Sequence, residues 1–436
     1  MHKSDTNDEI FINKIPYKCR IRREKHYRNP KKMRGWIVLL SRIICAIALM
    51  PYKRTLVKVG MHEIEAKKTP YLLLVNHAQF LDFYITAKTL LPNKFNSIIS
   101  YDGFGFNWVW PFLKLGGGIP KRRFINDPGI VKSIIHSLKK NKNICVVFPE
   151  AQYSPYGTTC TFPASVAKMV KMLKVPVSIL MISGHHLNKP MWGDIIPRME
   201  VPLLAVQSLL FTPEKIQELS VPEIYEKLQA AFKYNDYQYL QSNNIRLTYP
   251  RRAVGLQNIL YKCPCCKSEF NMISYNANLQ CFACKNEWHW DTSGKLVMLN
   301  GQAPFDNIPD WCEWERAEVL KEIKAGSYNI TTDAELFTLP HPRKFRKIGK
   351  VSLKHDCSGF SVSGRYNKKE FKIIRTPSDD YTIQLEYNYL RLKRKHCFAF
   401  SMLDDSFYLA PTKSEHILKI YFAVEELHKL KNSPLR

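Results

Sequence analysis

An α/β layer domain, followed by a small four-cysteine module and a β-rich C-terminal module ending in one helix, is the architecture this 436-residue sequence predicts. Three observations carry that expectation. Strand-like and helix-like stretches alternate from residue 70 to about residue 233. Two C-x2-C pairs stand fourteen residues apart in the middle of the chain. The last hundred residues hold short alternating apolar runs and then a single amphipathic stretch. There is no internal repeat and no low-complexity linker.

Residues 1–52 read as a basic arm and an interfacial helix. Lys14 to Arg34 hold ten Lys or Arg against the single Glu24, and they lead into Trp36 to Met50, fifteen mostly apolar residues interrupted by Arg42. About 20 apolar residues are needed to cross a bilayer core, so this segment is expected to lie in one leaflet, with the cations adding attraction to anionic headgroups. A buried core helix carrying a basic nucleic-acid arm is the other reading. A secretory signal does not fit, because the apolar run starts late, contains Arg42 and lacks a small-residue cleavage pattern. The whole chain carries 65 Lys or Arg against 38 Asp or Glu, a formal +27, which calls for an anionic partner surface, nucleic acid or acidic lipid. The apolar segment beside the basic arm favours lipid.

Residues 53–240 form the α/β domain. Strands are expected at 71–75, 95–100, 143–148 and 175–183. Asp127 and Pro128 open a helix whose Ile130, Ile134, Ile135 and Leu138 share a face, and Ser220 with Glu223 makes a capping box for a helix reaching about Lys233. The segment Asn76 to Asp82 follows the first strand, so His77 falls in a strand-to-helix loop and Asp82 in the first helical turn. A carboxylate is favoured there by the helix dipole and can hold an imidazole nitrogen, the arrangement of a general base; the same pattern also describes an ordinary surface pair. Gly116 to Gly118 open onto Ile119, Pro120, Lys121, Arg122 and Arg123, a basic loop. Val147, Phe148, Pro149 and Glu150 end a strand on a carboxylate that could equally cap a helix, and Val175, Pro176 and Val177 begin the next strand. Phe104 to Leu113, with Trp108 and Trp110, reads as core or as the wall of an acyl-chain pocket. His185 and His186 read as structural or acceptor-side residues, since spacing supplies no third metal ligand.

These four blocks, in this order, resemble the glycerolipid acyltransferase family (lysophosphatidic acid acyltransferase and its relatives), whose first block is N-H-x-x-x-x-D and whose third is F-P-E-G-T. The resemblance covers roughly residues 70–200. It implies a membrane-associated O-acyltransferase of phospholipid biosynthesis, 1-acylglycerol-3-phosphate acyltransferase-like, that moves an acyl chain from a thioester donor (coenzyme A or acyl carrier protein) to a hydroxyl of a lysophospholipid or glycerol-phosphate-like acceptor. In that reading His77 is the base and Asp82 fixes its tautomer, without an acyl-enzyme. Lys121, Arg122 and Arg123 hold an acceptor phosphate, the glycines let the backbone approach closely, and Glu150 belongs to the acceptor site. The chain departs from the family after Glu150, where Ala151, Gln152 and Tyr153 stand for Gly-Thr-Arg ahead of Ser154, and in the fourth block, where Ile179 stands for a second proline. The base and its acid are intact, so altered acceptor recognition is expected. The competing reading is a degenerate acyltransferase-fold binding protein that recruits a partner or nucleic acid through its cysteine module. The basic flank of the apolar segment places the catalytic domain on the cytoplasmic face of the membrane.

Residues 255–295 carry Cys263, Cys266, Cys281 and Cys284, with Cys265 as a spare. Two such pairs at this separation close a tetrahedral zinc site and resemble a zinc ribbon. The zinc is expected to be a structural staple; nucleic-acid contact through Trp288, His289 and Trp290 is the alternative. The remaining cysteines lack framework spacing, which fits a reducing compartment. Residues 305–436 give strands near 349–354, 358–363, 369–374, 381–386, 397–402 and 406–410, then a helix from Ser414 to about Leu430, an order that looks pleckstrin-homology-like. The basic clusters Arg343 to Lys350 and Arg391 to Lys395 read as an anionic-lipid contact or as a solvated face.

Overall fold

The computed structural model describes residues 10–16, 29–106, 110–194 and 196–432. The chain divides into two compact units, Arg23–Cys312 and Met1–Arg22 with Glu313–Arg436.

The larger unit is built on a seven-stranded sheet. Helix α1 (Gly35–Leu49) and edge strand β1 (Arg54–Val59) precede β2 (Leu72–Val75), helix α2 (Leu81–Leu90), β3 (Phe95–Ser100) and β4 (Ile119–Lys121). Helix α3 (Pro128–Ile135), β5 (Ile144–Val147), α4 (Ser165–Leu173), β6 (Val177–Ser183), β7 (Leu203–Phe211), α5 (Val221–Ala231) and α6 (Asp236–Ser242) follow. The strand order is β1-β7-β6-β2-β5-β3-β4. Only the β6/β7 pair is antiparallel, so β2, β3, β4, β5 and β6 all point the same way and deliver their carboxyl ends to one edge. The four expected strands are present within a residue or two. Three others, β1, β4 and β7, lay outside the sequence expectation: β1 is exposed along its length, and β4 is only three residues long and directly follows the glycine turn.

Strand alternation splits the core into two layers. Leu73, Val75, Val146, Leu180 and Ile182 face one side with Ile85 and Leu90 of α2; Leu72, Leu74, Cys145, Val147 and Ile179 face the other with Ile130 of α3, Val170 of α4 and Leu228 of α5. α3 starts as its sequence directs, with the Asp127 carboxylate accepting from Gly129 N at 2.8 Å and Pro128 in the first turn. α5 carries the reciprocal Ser220/Glu223 capping box and ends at Ala231.

α1 has one buried and one exposed face. Ile37, Val38, Cys45 and Leu49 are buried in the first core layer, so the helix is part of the fold. Its outer face leaves Trp36, Leu39, Ile43, Ile44, Ile47 and Met50 exposed, spaced as one helical stripe. Arg54 Nη1 closes the C-terminus by donating to Leu49 O at 2.6 Å and Tyr52 O at 3.1 Å. No helix among the described residues is long and apolar enough to cross a membrane. Much of the polybasic run, 17–28, and Trp108 lie outside the described residues.

The four-cysteine segment clusters with the α/β domain in the larger unit. Its sheet is an antiparallel meander of β8 (Met272–Tyr275), β9 (Asn278–Cys281), β10 (Glu287–Trp290) and β11 (Leu296–Met298).

In the smaller unit, β12 (Asn329–Thr338), β13 (Arg346–Asp356), β14 (Gly359–Tyr366), β15 (Lys369–Arg375), β16 (Gln384–Tyr389), β17 (Lys395–Ser401) and β18 (Ser406–Pro411) precede helix α7 (His416–Asn432). They join in the order β15-β14-β13-β12-β18-β17-β16, extended at the β15 edge by the strand Phe11–Ile12. The β-rich module with its terminal helix is therefore present. β12 and the Phe11–Ile12 strand add to the six strands expected, the latter joining from more than 300 residues away in sequence.

Candidate active site and four-cysteine centre

Five chain segments reach the carboxyl edge of the parallel strands: Asn76–Asp82 after β2, Glu150 after β5, Tyr101–Asp102 after β3, Arg122–Arg123 after β4, and Gly184–His186 after β6. In an open α/β sheet this edge forms the binding crevice. β2 lies between β6 and β5, so the loop bearing His77 is flanked by those bearing His185 and Glu150.

Asp82 is fully buried at the centre. Its Oδ2 accepts from Ala78 N at 2.7 Å and Gln79 N at 3.0 Å and meets His77 Nδ1 at 2.8 Å; its Oδ1 is hydrogen-bonded to His185 Nδ1. Burial alone would raise the Asp82 pKa, but His185 and His77 outweigh it and hold the carboxyl well below its ordinary range. Burial lowers the pKa of His77, against the hydrogen bond and charge of Asp82, and Arg123 and His185 lower it further. With Nδ1 held by the carboxylate, Nε2 is the nitrogen left to take a proton. The His77 ring packs against Phe148 at 4.4 Å and edge-on to Tyr153 at 4.5 Å between centroids.

Glu150 is also fully buried, and each of its oxygens accepts from a backbone amide: Oε1 from Cys160 N at 2.6 Å and Oε2 from His77 N at 2.7 Å. Burial pushes its pKa up to about 8 in spite of those donors. The carboxyl group thus ties the β2 loop to the β5 loop, and Ser154 N adds a bond to His77 O at 2.9 Å. Ala151 adopts φ +55°, the left-handed conformation that a glycine takes without strain.

The three cations of the basic loop have different partners. Lys121 Nζ donates to the carbonyls of Arg122 and Ile125, both at 3.1 Å, and burial brings its pKa down to about 8. The Arg122 guanidinium is buried and lies 4.1 Å over the Tyr101 ring. Arg123 Nε donates to Ser100 Oγ at 2.9 Å, and this residue is the one whose charge is felt at His77. In the glycine turn before them the backbone does come close to its neighbours. Gly117, at φ +79°, would place a Cβ 2.3 Å from Asn96 Nδ2, and Asn96 Nδ2 donates to Gly117 O and Lys31 O.

Four residues outside the expected set complete the arrangement. Asn76 prolongs the β2/β6 ladder with its side chain, donating to Ile182 O at 2.9 Å and accepting from Ile182 N at 2.8 Å. Gln79 Nε2 donates to His185 O at 2.9 Å. Asp236, the first residue of α6, accepts from Gly184 N at 2.9 Å and His186 N at 2.8 Å and so sets the turn that presents His185. The adjacent His185 and His186 are visible in the sequence, but their 103-residue separation from Asp82 hides the pairing.

The four predicted cysteines come together. Their sulfurs lie within 4.8 Å of one another, with Cys263 to Cys284 and Cys266 to Cys281 both at 3.7 Å. A tetrahedron with metal–sulfur bonds of about 2.3 Å has edges of about 3.8 Å. The site therefore fits a tetrahedral thiolate-bound ion. Each pair sits in the same turn: Lys267 N donates to Cys263 O and Lys285 N to Cys281 O, and both lysines take left-handed φ values near +62°. Trp288 and Trp290 are wholly buried, Trp288 against Trp311 and Trp290 against Trp192 and Tyr237. His289 is held between Asn278 and Arg252. Trp288 and Trp290 are therefore not available for base stacking in this fold.

Residues 56–183 match the family model Acyltransferase, so this segment is an acyltransferase-family domain. Among solved structures the chain is similar to the crystal structure of the 1-acyl-sn-glycerophosphate (LPA) acyltransferase PlsC from Thermotoga maritima. The two are 17% identical, the match covers 45% of this chain and 77% of that one, and the TM-score is 0.35. No curated protein matches the chain.

Purified protein is expected to carry about one equivalent of metal per chain by elemental analysis, and Cys281→Ser to lose it together with the stability of the module; a metal-free wild-type chain of full stability would exclude the site. Glu150 gives a pH signature. Its folded pKa is raised, so the folded chain keeps a proton that the unfolded chain releases, and this contribution is full below the ordinary carboxylate value and lost as pH rises toward about 8. Urea midpoints should fall across that window, and the fall should shrink in Glu150→Gln. Equal slopes in the two proteins would place the titration elsewhere.

Proposed function

We propose that this chain is a membrane-associated O-acyltransferase that moves an acyl group from a thioester donor, coenzyme A or acyl carrier protein, to a hydroxyl of a lysophospholipid or glycerol-phosphate-like acceptor. The observation that carries the reading is His77 held through Nδ1 by Asp82 at the carboxyl edge of the sheet, inside the acyltransferase-family segment.

The chemistry follows from that geometry. Nε2 of neutral His77 takes the acceptor's hydroxyl proton as the oxygen attacks the thioester carbonyl carbon. The C–O bond forms, the tetrahedral species collapses, the C–S bond breaks, and the thiolate leaves with the proton returned by the imidazolium. Asp82 stabilises that imidazolium and holds its tautomer. Arg123, tethered to Ser100 and felt at His77, is the cation best placed for an acceptor phosphate, with Lys121 and Arg122 shaping the loop behind it. Glu150 positions His77 through its amide. We assign structural zinc to Cys263, Cys266, Cys281 and Cys284.

The exposed apolar stripe of α1 supports attachment at one leaflet, with exposed Lys31, Lys32, Arg34 and Arg42 adding electrostatic attraction, each worth roughly 1 kcal/mol beside anionic headgroups. The basic flank supports a cytoplasmic-face location. Residues 53–240 make the catalytic domain, 255–295 the metal module and 305–436 an accessory, pleckstrin-like module.

His77→Ala is expected to cost a factor of about 10² to 10⁴ in acyl transfer from palmitoyl-coenzyme A to 1-acylglycerol 3-phosphate, and Asp82→Asn a comparable factor, with the fold retained. Turnover by His77→Ala at the wild-type rate would give the base role to another residue and favour the binding-protein reading. For the membrane contact, combined Leu39→Ser, Ile43→Ser and Ile47→Ser should leave the core intact and reduce flotation with anionic liposomes, and high salt should weaken wild-type binding. Unchanged flotation of the triple variant would move the contact off α1.

A further inference from the structure

The geometry points to His185 as a second imidazole on the Asp82 carboxylate, a positioning residue that aims Asp82 at His77 and offsets the carboxylate's charge so that His77 stays neutral and ready to accept a proton. The role in turnover rests on the acyl-transfer reading above; the shared carboxylate does not.

Asp82 has two oxygens and the catalytic pair uses one. Oδ2 serves His77 and the amides of Ala78 and Gln79, while Oδ1 is given wholly to His185 Nδ1. A carboxylate held at only one oxygen can rotate about its Cβ–Cγ bond and loosen its grip on the base. Held at both, it has one orientation.

His185 is itself fixed from three directions. It has no solvent exposure. Gln79 Nε2 binds its carbonyl, and Asp236 binds the amides of Gly184 and His186 on either side. Gly184 turns at φ +86°, where a Cβ would come within 2.5 Å of Pro202 O. The chain thus invests three side chains, Asp82, Gln79 and Asp236, and a glycine at positive φ in the placement of one ring. Its Nε2 is buried and finds no hydrogen-bond partner among the described residues, so within them the ring's hydrogen bond is the one to Asp82.

Charge supplies the second half of the argument. His77 is faced by Asp82, Arg123 and His185, with Glu150 bound to its amide; His185 is faced by Asp82, Asp236, Glu150 and His186. Burial acts against a charged His185, but the Asp82 carboxylate overrides it and raises its pKa above the ordinary value. A cationic His185 beside Asp82 makes a near-neutral pair and weakens the field that would otherwise protonate His77. Removing the cation while keeping a hydrogen-bond donor should therefore raise the His77 pKa.

Two variants separate geometry from charge. His185→Asn keeps an N–H donor near the Nδ1 position, and His185→Ala keeps neither donor nor charge. With palmitoyl-coenzyme A and 1-acylglycerol 3-phosphate, His185→Ala should lower kcat about 10- to 100-fold at little change in either KM, the range expected when a catalytic group is misplaced. His185→Asn should recover most of kcat and move the acid limb of the rate profile to higher pH. Equal kcat losses in the two variants with an unmoved acid limb would reduce His185 to a packing role and overturn the proposal. Histidine ring ¹⁵N spectra of the full chain provide a readout independent of turnover. Asp82→Asn should shift the Nδ1 resonances of both His77 and His185, and a shift confined to His77 would refute the shared carboxylate. If wild-type protein transfers no acyl group while both resonances respond, the acyl-transfer reading fails and the shared carboxylate stands.

Discussion

The Asp82 carboxylate is taken wholly out of water, and the loop conformations on either side of the central strand follow from satisfying it. An isolated buried carboxylate costs several kcal/mol, so the site is stable only if both oxygens are fully engaged. Ala78 and Gln79 must turn their amides inward to reach it, which bends the chain after β2 and brings His77 back over the same oxygen. His185 must come from the end of β6 to occupy the other. Asn76 makes that approach possible by continuing the β2/β6 ladder with its side chain where the backbones part.

From this carboxylate a continuous set of contacts runs to the cysteine module. Asp236 sets the turn that presents His185; its neighbour Tyr237 packs between the rings of His186 and Trp290, and Trp290 belongs to β10 of the module. Arg198 and Arg252 reinforce the same seam, Arg198 Nη2 donating to Arg252 O at 2.6 Å and Arg252 to Trp290 O. The tryptophans that make the module look like a nucleic-acid reader are thus core residues shared with the α/β domain. A metal that stabilises the module stabilises the wall behind the loops that carry His77 and His185.

The departures from the acyltransferase pattern find physical accommodation. Ala151 accepts a left-handed backbone, at a cost of about 1–2 kcal/mol relative to glycine, and the β5 loop keeps its course. Tyr153 puts a phenol ring against His77 where the family places a cation, so the surroundings of that imidazole are aromatic and uncharged on this side. The β4 loop supplies positive charge near His77, through Arg123.

Much of this was legible in the sequence because it is local. Apolar runs declare β2, β3, β5 and β6, the capping residues declare α3 and α5, and the spacing of His77 and Asp82 across one strand-to-helix turn declares their contact. The C-x2-C pairs likewise declare their ligand set, since each knuckle is a single turn. Tertiary structure decided what depends on distant chain meeting distant chain: that Asp82 is shared with His185, that Glu150 spends both oxygens on backbone amides, that Arg122 and Arg123 meet Tyr101 and Ser100, and that Trp288 and Trp290 are buried. Periodicity reports which face of an element is apolar, but a carboxylate or an indole is read as exposed or buried only when its partner is known. The partners of the two carboxylates lie 10 to 103 residues away along the chain, brought to one edge by the parallel order of the sheet.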